Sequence, residues 1–547
     1  MKGVVCFCLL GLVGLASCND EWDSHYDGNG GVPGKSLMEL VRQDSRLEKF
    51  CQILEKTQED TLLSSSQTYT VWAPRNEALD DVDMDDMAAL RRLVRNHIAR
   101  YTNPTSTPTG QRIYMLNGKI MSFQSTDCFM ETDIDQKNIL ADNGVLHVMK
   151  GQVPYQYNVM ERMAVDPNYS KVYGFITRWN RKQYDAGQST TYDSVFVDYN
   201  PMLESYDYGI GLLAREDSFY TMVIPDNAAW DAAMEHLRPY FIPGSKLDGD
   251  ALTAYQDSVS ESKAGQAILA GLTFSGRAFR DAQGNFIEPT TLDSLYTIDG
   301  HLLRKADLQF YFNGYQLEKA SNGYVYLANG HLNMADTCTW NPTIKLEAEY
   351  YKAKDLAMSA TQYVFSGETF LQGVSGNSYL EISATSNRVG ITYEMPQVLA
   401  GKYEIMVDFV PPIINGLNTR TRLQYELTHM QEDGTVPRRP NVTFDEDDLI
   451  VQNPWMYEAL ADTGDGEDGE EPIGKVSVVT QKVGEVVFPV ADYYDGMWFY
   501  DERNANTSQT VNTKLRILFN VANKELTDKT WERVARIDRV RLVPVLE

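Results

Sequence analysis

The sequence predicts a multidomain protein: two α+β domains in tandem, followed by an all-β sandwich of the jelly-roll kind. Three observations predict it. The chain has 547 residues, more than one hydrophobic core can serve, so about three or four units are expected. "YTVWAPRNEAL" at 69–79 returns as "YTMVIPDNAAW" at 220–230, the mark of a duplicated unit. Beyond about residue 346 helical periodicity gives way to the apolar–polar alternation of strands. An apolar content of 43%, with 11% aromatics and 32 Tyr, fits ordered domains and excludes a disordered chain. The net charge of −27, without basic clusters, argues against a nucleic-acid partner.

In chain order the first element is an export signal. Lys2 precedes an apolar run from Val4 to Leu15 that is too short to span a bilayer, which takes about 20 residues. The run ends in "LASC" (Leu15 to Cys18), which resembles the bacterial lipobox. The resemblance implies removal of residues 1–17 and acylation of Cys18, an anchor worth about 0.8 kcal/mol per buried CH₂. Residues 18–34 form a tether with Asp20, Glu21, Asp23 and Asp27 just behind the anchor. It resembles the acidic tether of Bacteroidetes lipoproteins displayed on the outer face of the outer membrane, and implies a lipid-anchored, surface-exposed protein. Of the cysteines, Cys51, Cys128 and Cys338 then remain, enough for one bridge at most. No CxxC or Cys/His ligand spacing survives to suggest zinc or redox chemistry.

The first α+β domain is expected over 35–157. Ser36 and Glu39 have capping-box spacing. Leu47, Phe50, Cys51 and Leu54 form an apolar helical stripe that would bury Cys51 as an inert thiol. "YTVWAP" reads as a strand stopped by Pro74, and Met87, Leu90, Val94 and His97 mark one face of a helix with Asp85 and Asp86 at its positive end. "RIYMLNGKIMSF" and "GVLHVMKGQV" supply strands around the turn-forming pairs Asn117-Gly118 and Asn143-Gly144. The second domain, 158–343, repeats this order. Val172, Phe175, Ile176 and Trp179 reproduce the stripe, "IDGHLL" answers "LNGKIM", and "NGYVYLANG" answers "NGVLHVMKG". A Tyr-rich insertion between Trp179 and Phe219 is long enough to form an added surface.

At these residues the chain resembles the fasciclin domain. The first motif falls on Thr70, Pro74 and Asn76, the middle one on His97, and the last on Asn143, Gly144 and His147. The second copy matches at Thr221, Pro225, Asn227, Asn322 and Gly323. It has no His in the middle motif and carries Tyr326 where the last His would stand. The resemblance implies an α+β wedge used elsewhere for extracellular adhesion and protein contacts, without catalysis. His97 and His147 lie on apolar-patterned elements and are expected as hydrogen-bonded core residues rather than ligands.

Over 344–547, "KLEAEYYKA", "SYLEISA", "VGITYEM", "GKYEIMVDFV", "KLRILFNVA" and "RIDRVRLVPV" alternate as antiparallel strands. "LEAEYY", "GKYEIMVDF" and "IDRVRLVP" resemble, in that order, the galactose-binding-like jelly rolls of carbohydrate-binding modules. That resemblance implies a structural calcium at Glu347, Glu349 and Asp538, the one cofactor expected. Trp455, Tyr493, Tyr494 and Trp498 could present faces to sugar rings, with core packing as the alternative. "DTGDGEDGEE" (462–471) could offer calcium oxygen ligands, but its spacing departs from the EF-hand pattern, and a solvated acidic loop is the other reading. "NVT" (441–443) fits a glycosylation sequon, and "DTL" (60–62), "DSV" (193–195) and "DSL" (293–295) resemble Bacteroidetes O-glycosylation triplets. No GxSxG, HExxH or P-loop occurs, and "GIG" (209–211) lacks the rest of a dinucleotide loop.

The expectation is therefore a non-enzymatic outer-membrane lipoprotein, resembling the accessory components of SusC/SusD-type systems that take up glycans or peptides. Its partners would be such a transporter and a glycan or peptide ligand. A cell-surface adhesin binding host matrix or neighbouring cells through its fasciclin domains is the alternative. An unrecognised hydrolase in the last domain is a third reading.

Overall fold

The computed structural model describes residues 34–189, 194–205, 209–334, 340–364, 371–410, 419–445, 450–452, 476–492 and 511–546. The chain divides into two compact units, Met1–Tyr157 and Asn158–Glu547.

The first unit opens with the capping box. Glu39 N donates to Ser36 Oγ at 3.3 Å and Ser36 N to Glu39 Oε2 at 2.7 Å, which starts the helix Leu37–Gln43. This helix, with Glu48–Thr57 and Met87–Asn96, covers one face of a sheet. The strand order is Ile98–Arg100, Tyr69–Pro74, Gly144–Met149, Thr132–Ala141, Cys128–Phe129, Phe123–Ser125. Tyr69–Pro74 and Gly144–Met149 run parallel, in register from Tyr69↔Gly144 to Pro74↔Met149. Both strands are buried along their whole length, as parallel strands covered on two faces must be. Phe50, Leu54, Leu90, Val94, Val71 and Leu146 fill the helix side. Trp72, Phe123, Phe129 and Met149 fill the other, with Trp72 stacked on Phe129 at 4.2 Å between centroids. Two sequence expectations shift. Cys51 is half-buried at the margin of the helix-side core, beside Glu55, because its helix rotates Phe50, Ile53 and Leu54 inward instead. The hairpin turn is Asp142 and Asn143, since Ala141 pairs with Gly144, so Gly144 opens the strand.

The second copy repeats the sheet as Thr273–Ser275, Tyr220–Pro225, Gly323–Ala328, Gln316–Ala320. Its parallel pair runs from Tyr220↔Gly323 to Pro225↔Ala328, the register of the first copy residue for residue. Asn158 and Glu161 take the place of Ser36 and Glu39 as a capping box. The turn at Asn117-Gly118 between Ile113–Tyr114 and Ile120–Met121 recurs at Asp299-Gly300 between Ser294–Tyr296 and Leu302–Arg304. Two elements differ. The insertion contributes an exposed antiparallel hairpin, Arg181–Tyr184 with Phe196–Tyr199. Where the first copy has Met87–Asn96, the second has the helix Gly249–Leu272, exposed along most of its first half and buried from Ala264 onward.

The sandwich consists of two six-stranded antiparallel sheets. One is ordered Met358–Val364, Ser378–Ala384, Val534–Val545, Gly401–Phe409, Val479–Phe488, with Ile344–Glu347 also on Val534–Val545. The other is ordered Ala353–Lys354, Gly390–Glu394, Lys514–Phe519, Arg420–Thr428, Val442–Phe444, with Ile450–Gln452 also on Arg420–Thr428. Alternate residues such as Leu423, Tyr425 and Leu427 face Ile405, Val407 and Ile537 in one core, the spacing expected of stacked sheets. This sandwich is welded to the second copy. Ala400 N donates to Tyr240 O at 2.9 Å, Ala491 N to Ile242 O at 2.8 Å and Ser245 N to Glu432 O at 3.0 Å. Trp340 meets Tyr240 at 4.7 Å between centroids, and Leu399 and Ala491 belong to the second copy's core.

Candidate functional site

The motif residues of both copies serve as latches. Asn143 accepts from Leu37 N at 2.8 Å and donates to Leu63 O and Ser65 O at 2.8 and 2.7 Å. Asn322 accepts from Val159 N at 3.0 Å and donates to Leu213 O and Arg215 O at 2.8 and 3.1 Å. Each ties the first helix and the loop before the central strand to the hairpin tip. A Cβ on Gly144 would stand 1.8 Å from Tyr69 O, and one on Gly323 1.7 Å from Tyr220 O, so both glycines are required by close backbone approach. Asn76 links Lys49 N (2.9 Å) to Ser45 O (2.8 Å), and Asn227 links Lys171 N (2.9 Å) to Pro167 O (3.0 Å). Pro74 and Pro225 end the central strands. Thr70 Oγ1 donates to Tyr101 O at 2.7 Å and accepts from Asn103 N at 2.8 Å, whereas the buried Thr221 hydroxyl has no partner among the described residues.

The histidines are also structural. His97 accepts from Val153 N through Nε2 at 2.9 Å, which leaves Nδ1–H to donate to Leu93 O at 2.8 Å. His147 accepts from Asn138 N through Nδ1 at 3.3 Å and donates from Nε2 to Asn103 O at 3.0 Å. Burial lowers both to about 4, so both are neutral at physiological pH. In register, Tyr326 occupies the place of His147 and Leu272 that of His97.

The third arrangement lies on the sandwich. Glu347 ends the strand Ile344–Glu347, Glu349 sits in the following helical turn, and Asp538 lies on Val534–Val545. Each spends one oxygen on the segment 375–378. Ser375 Oγ donates to Glu347 Oε1 at 2.5 Å, Ser375 N to Asp538 Oδ1 at 2.9 Å, and Ser378 Oγ to Glu349 Oε1. The sequence reading missed these serines, since nothing in their local pattern marks them. The second oxygens, Glu347 Oε2, Glu349 Oε2 and Asp538 Oδ2, are buried without a hydrogen-bond donor among the described residues. Arg539 Nε lies 3.3 Å from Asp538 Oδ2 and is also held by the buried Asp408 at 3.1 Å. Burial raises Asp538 to about 7, with the Glu347 charge adding to it, and raises Glu347 as well.

Three orphaned carboxylate oxygens are the hard donors calcium takes, so the residues fit that ion by chemistry. By geometry, no group of three His, Cys, Asp or Glu among the described residues converges at metal-holding spacing. The carboxylates thus supply donor chemistry without a formed metal site among the described residues. Bound there, calcium would supply charge neutralisation and cross-link the first and last strands; Glu347, Glu349 and Asp538 would hold it. Cys18, Cys338, Trp455, Tyr493, Tyr494, Trp498, the acidic run 462–471 and Asp193 lie outside the described residues.

Comparison with known proteins agrees with this geometry for the first copy. Residues 45–151 match the Fasciclin domain family. Among curated proteins, none matches the chain. The chain is similar to a solved FAS1 domain pair from the insect cell adhesion molecule Fasciclin I, at 13% identity and a TM-score of 0.20, over 54% of this chain and 99% of that one. It is similar to a family 35 carbohydrate binding module from Clostridium thermocellum, at 11% identity and a TM-score of 0.16, over 37% and 98%. The CBM35 from Paenibacillus barcinonensis matches at 13% identity and a TM-score of 0.16, again over 37% and 98%. The fold assignment rests on the strand orders and registers given above.

Proposed function

We propose that this chain is a non-catalytic binding protein held at the cell surface by acyl chains on Cys18, working as an accessory component of a SusC/SusD-type uptake system for glycans or peptides. One observation carries the non-catalytic reading: the described motif side chains, from Asn76 and His97 to Asn143, are occupied by backbone hydrogen bonds. What the fold then offers a partner is surface. The Fasciclin domain at 45–151 supports a binding or adhesion role. The short apolar leader ending in "LASC" supports the anchor, which confines the domains to the membrane plane and raises effective concentration at a transporter.

Affinity capture of the full chain from detergent-solubilised membranes tests the proposal. Stoichiometric recovery of a porin is expected; capture of the anchored protein without one overturns the uptake reading and leaves adhesion. Calcium at Glu347, Glu349 and Asp538 is proposed as structural. Adding calcium should raise the melting midpoint of the sandwich and Glu347→Gln should abolish the rise; an unchanged midpoint counts against the ion.

A further inference from the structure

Arg100, Tyr101, Arg112 and Tyr114 gather, exposed, at one corner of the first unit. Ala99 pairs antiparallel with Met115, so Arg100 stands across from Tyr114. Arg112 precedes Tyr114 by two residues, and its guanidinium carbon lies 5.7 Å from the Tyr114 ring centroid. Tyr101 has left-handed backbone at φ 67°, which a bulky residue adopts at a cost. Its backbone serves the fold: Tyr101 N donates to Thr68 O at 2.9 Å, and its carbonyl accepts from Thr70 Oγ1. Its side chain stands outside, 74% exposed, as Tyr114 does at 58%. Neither Arg100 nor Arg112 meets a carboxylate among the described residues. The second copy folds without this set. In register, Ser275 and Gly276 replace Arg100 and Tyr101, and Ser294 replaces Arg112; only Tyr296 answers Tyr114.

The described chain begins at the same end of the sheet. Tyr69 pairs with Arg100 on one side and with Gly144 on the other, so Arg100 and Gly144 lie two strand spacings apart, roughly 10 Å. Two residues before Gly144, Asp142 Oδ1 accepts from Gly34 N at 2.9 Å. Ahead of Gly34, "NDEWDSHYDGNGGVP" (19–33) lies outside the described residues. It places Asp20, Glu21, Asp23 and Asp27 around Trp22 and Tyr26, with His25 its one basic side chain. At roughly 3.3 Å per extended residue, Asp27 can stand up to about 23 Å from Gly34, enough to reach the corner.

We propose that Arg100, Tyr101, Arg112 and Tyr114 dock the chain's own acidic segment, Asp20 to Asp27. Its carboxylates answer the two guanidiniums, and Trp22 and Tyr26 lie on the tyrosine faces. Charge complementarity selects this occupant, and its covalent attachment makes the encounter intramolecular. The segment straps the first unit close to residue 18 instead of leaving a solvated linker between them. This stands apart from the uptake reading and from acylation of Cys18.

Hydrogen exchange of residues 19–33 in the full chain, read by mass spectrometry, tests the strap. At low salt the amides of 20–27 should exchange at least threefold more slowly in the wild type than in Arg100→Ser with Arg112→Ser, at unchanged circular dichroism. Rising salt should close that gap. Tyr101→Gly should speed exchange of the segment and leave the melting midpoint of the first unit no lower, since glycine takes φ 67° without strain. An excess of a synthetic peptide of residues 19–27 should release the protected amides of the wild type; this arm needs no variant, so the test survives misfolding of any. Equal exchange in wild type and double variant overturns the docking, and so does a gap that high salt leaves untouched. Calorimetric binding of the peptide without protection of the attached segment assigns the corner to the tether of a second copy and overturns docking within one chain.

Discussion

The two fasciclin-like copies share their asparagine latches and differ in what surrounds them. Asn143 and Asn322 make the same three hydrogen bonds, and Asn76 and Asn227 the same two. The first copy adds two buried neutral histidines and stands as its own compact unit with the segments that flank it. The second replaces them with Leu272 and Tyr326, has the longer helix Gly249–Leu272 in place of Met87–Asn96, and bonds its backbone to the sandwich through residues 240–245. What survives divergence is thus the set of contacts that closes the hairpin tip onto the first helix. The two histidine positions changed residue type between the copies but stayed buried in both.

The largest effect expected from this comparison comes at the glycines. Gly144→Ala and Gly323→Ala each force a Cβ into a carbonyl oxygen and should cost about 4 kcal/mol or more. Gly144→Ala should remove the melting transition of the first unit alone, and Gly323→Ala that of the unit containing the sandwich. If Gly323→Ala leaves the sandwich transition in place, the welded junction is not cooperative.

Next is the loss of a latch. Asn143→Ala and Asn322→Ala should each destabilise by about 3–5 kcal/mol in urea unfolding, since buried backbone groups lose their partners. A clear inequality between them would show that the sandwich supports the second copy.

The third separates the copies by pH. His97 and His147 are held near 4 by burial, below the ordinary value of about 6.5, so the unfolded chain binds more protons between those limits. Stability of the first unit should be complete above about pH 6.5 and fall as pH drops toward 4, by up to roughly 3 kcal/mol per histidine. The second copy lacks this dependence at the matching positions. His97→Leu with His147→Tyr, the residues of the second copy, should flatten the acid limb of the first unit's melting curve; an unchanged limb would assign the acid response to other groups.

The smallest effect is at the ion pairs Lys49–Asp80 and Lys171–Asp231, which occupy equivalent places and are substantially exposed. Lys49→Ala and Lys171→Ala should change stability by less than about 1 kcal/mol, measured by the same urea titration.

Much of this was legible in the chain. Two eleven-residue stretches with Tyr, Thr, Pro, Asn and Ala at the same places announced the duplication, and the alternating runs "GKYEIMVDFV" and "RIDRVRLVPV" announced strands that the structure places side by side. His97 and His147 were readable as core residues because they sit in apolar stripes. Less visible were Met358–Val364, Arg420–Thr428 and Val479–Phe488, whose outward positions carry Arg, Gln, Glu, Lys and Thr. Ser375 and Ser378 could not be read at all: what makes them partners of Glu347, Glu349 and Asp538 is the return of a distant segment over the sheet face.

The sequence by itself determined the repeat, the class of each domain and the inward faces, because periodicity and close-approach glycines are local consequences of backbone geometry. Only the tertiary structure decided that Leu399 and Ala491 of the sandwich join the second copy's core, that three carboxylates keep one oxygen each without a donor among the described residues, and that two arginines stack on Trp531. Those outcomes depend on groups more than a hundred residues apart in several cases, and a side chain's charge or hydrogen-bonding need has no direction until the chain has brought another group to meet it.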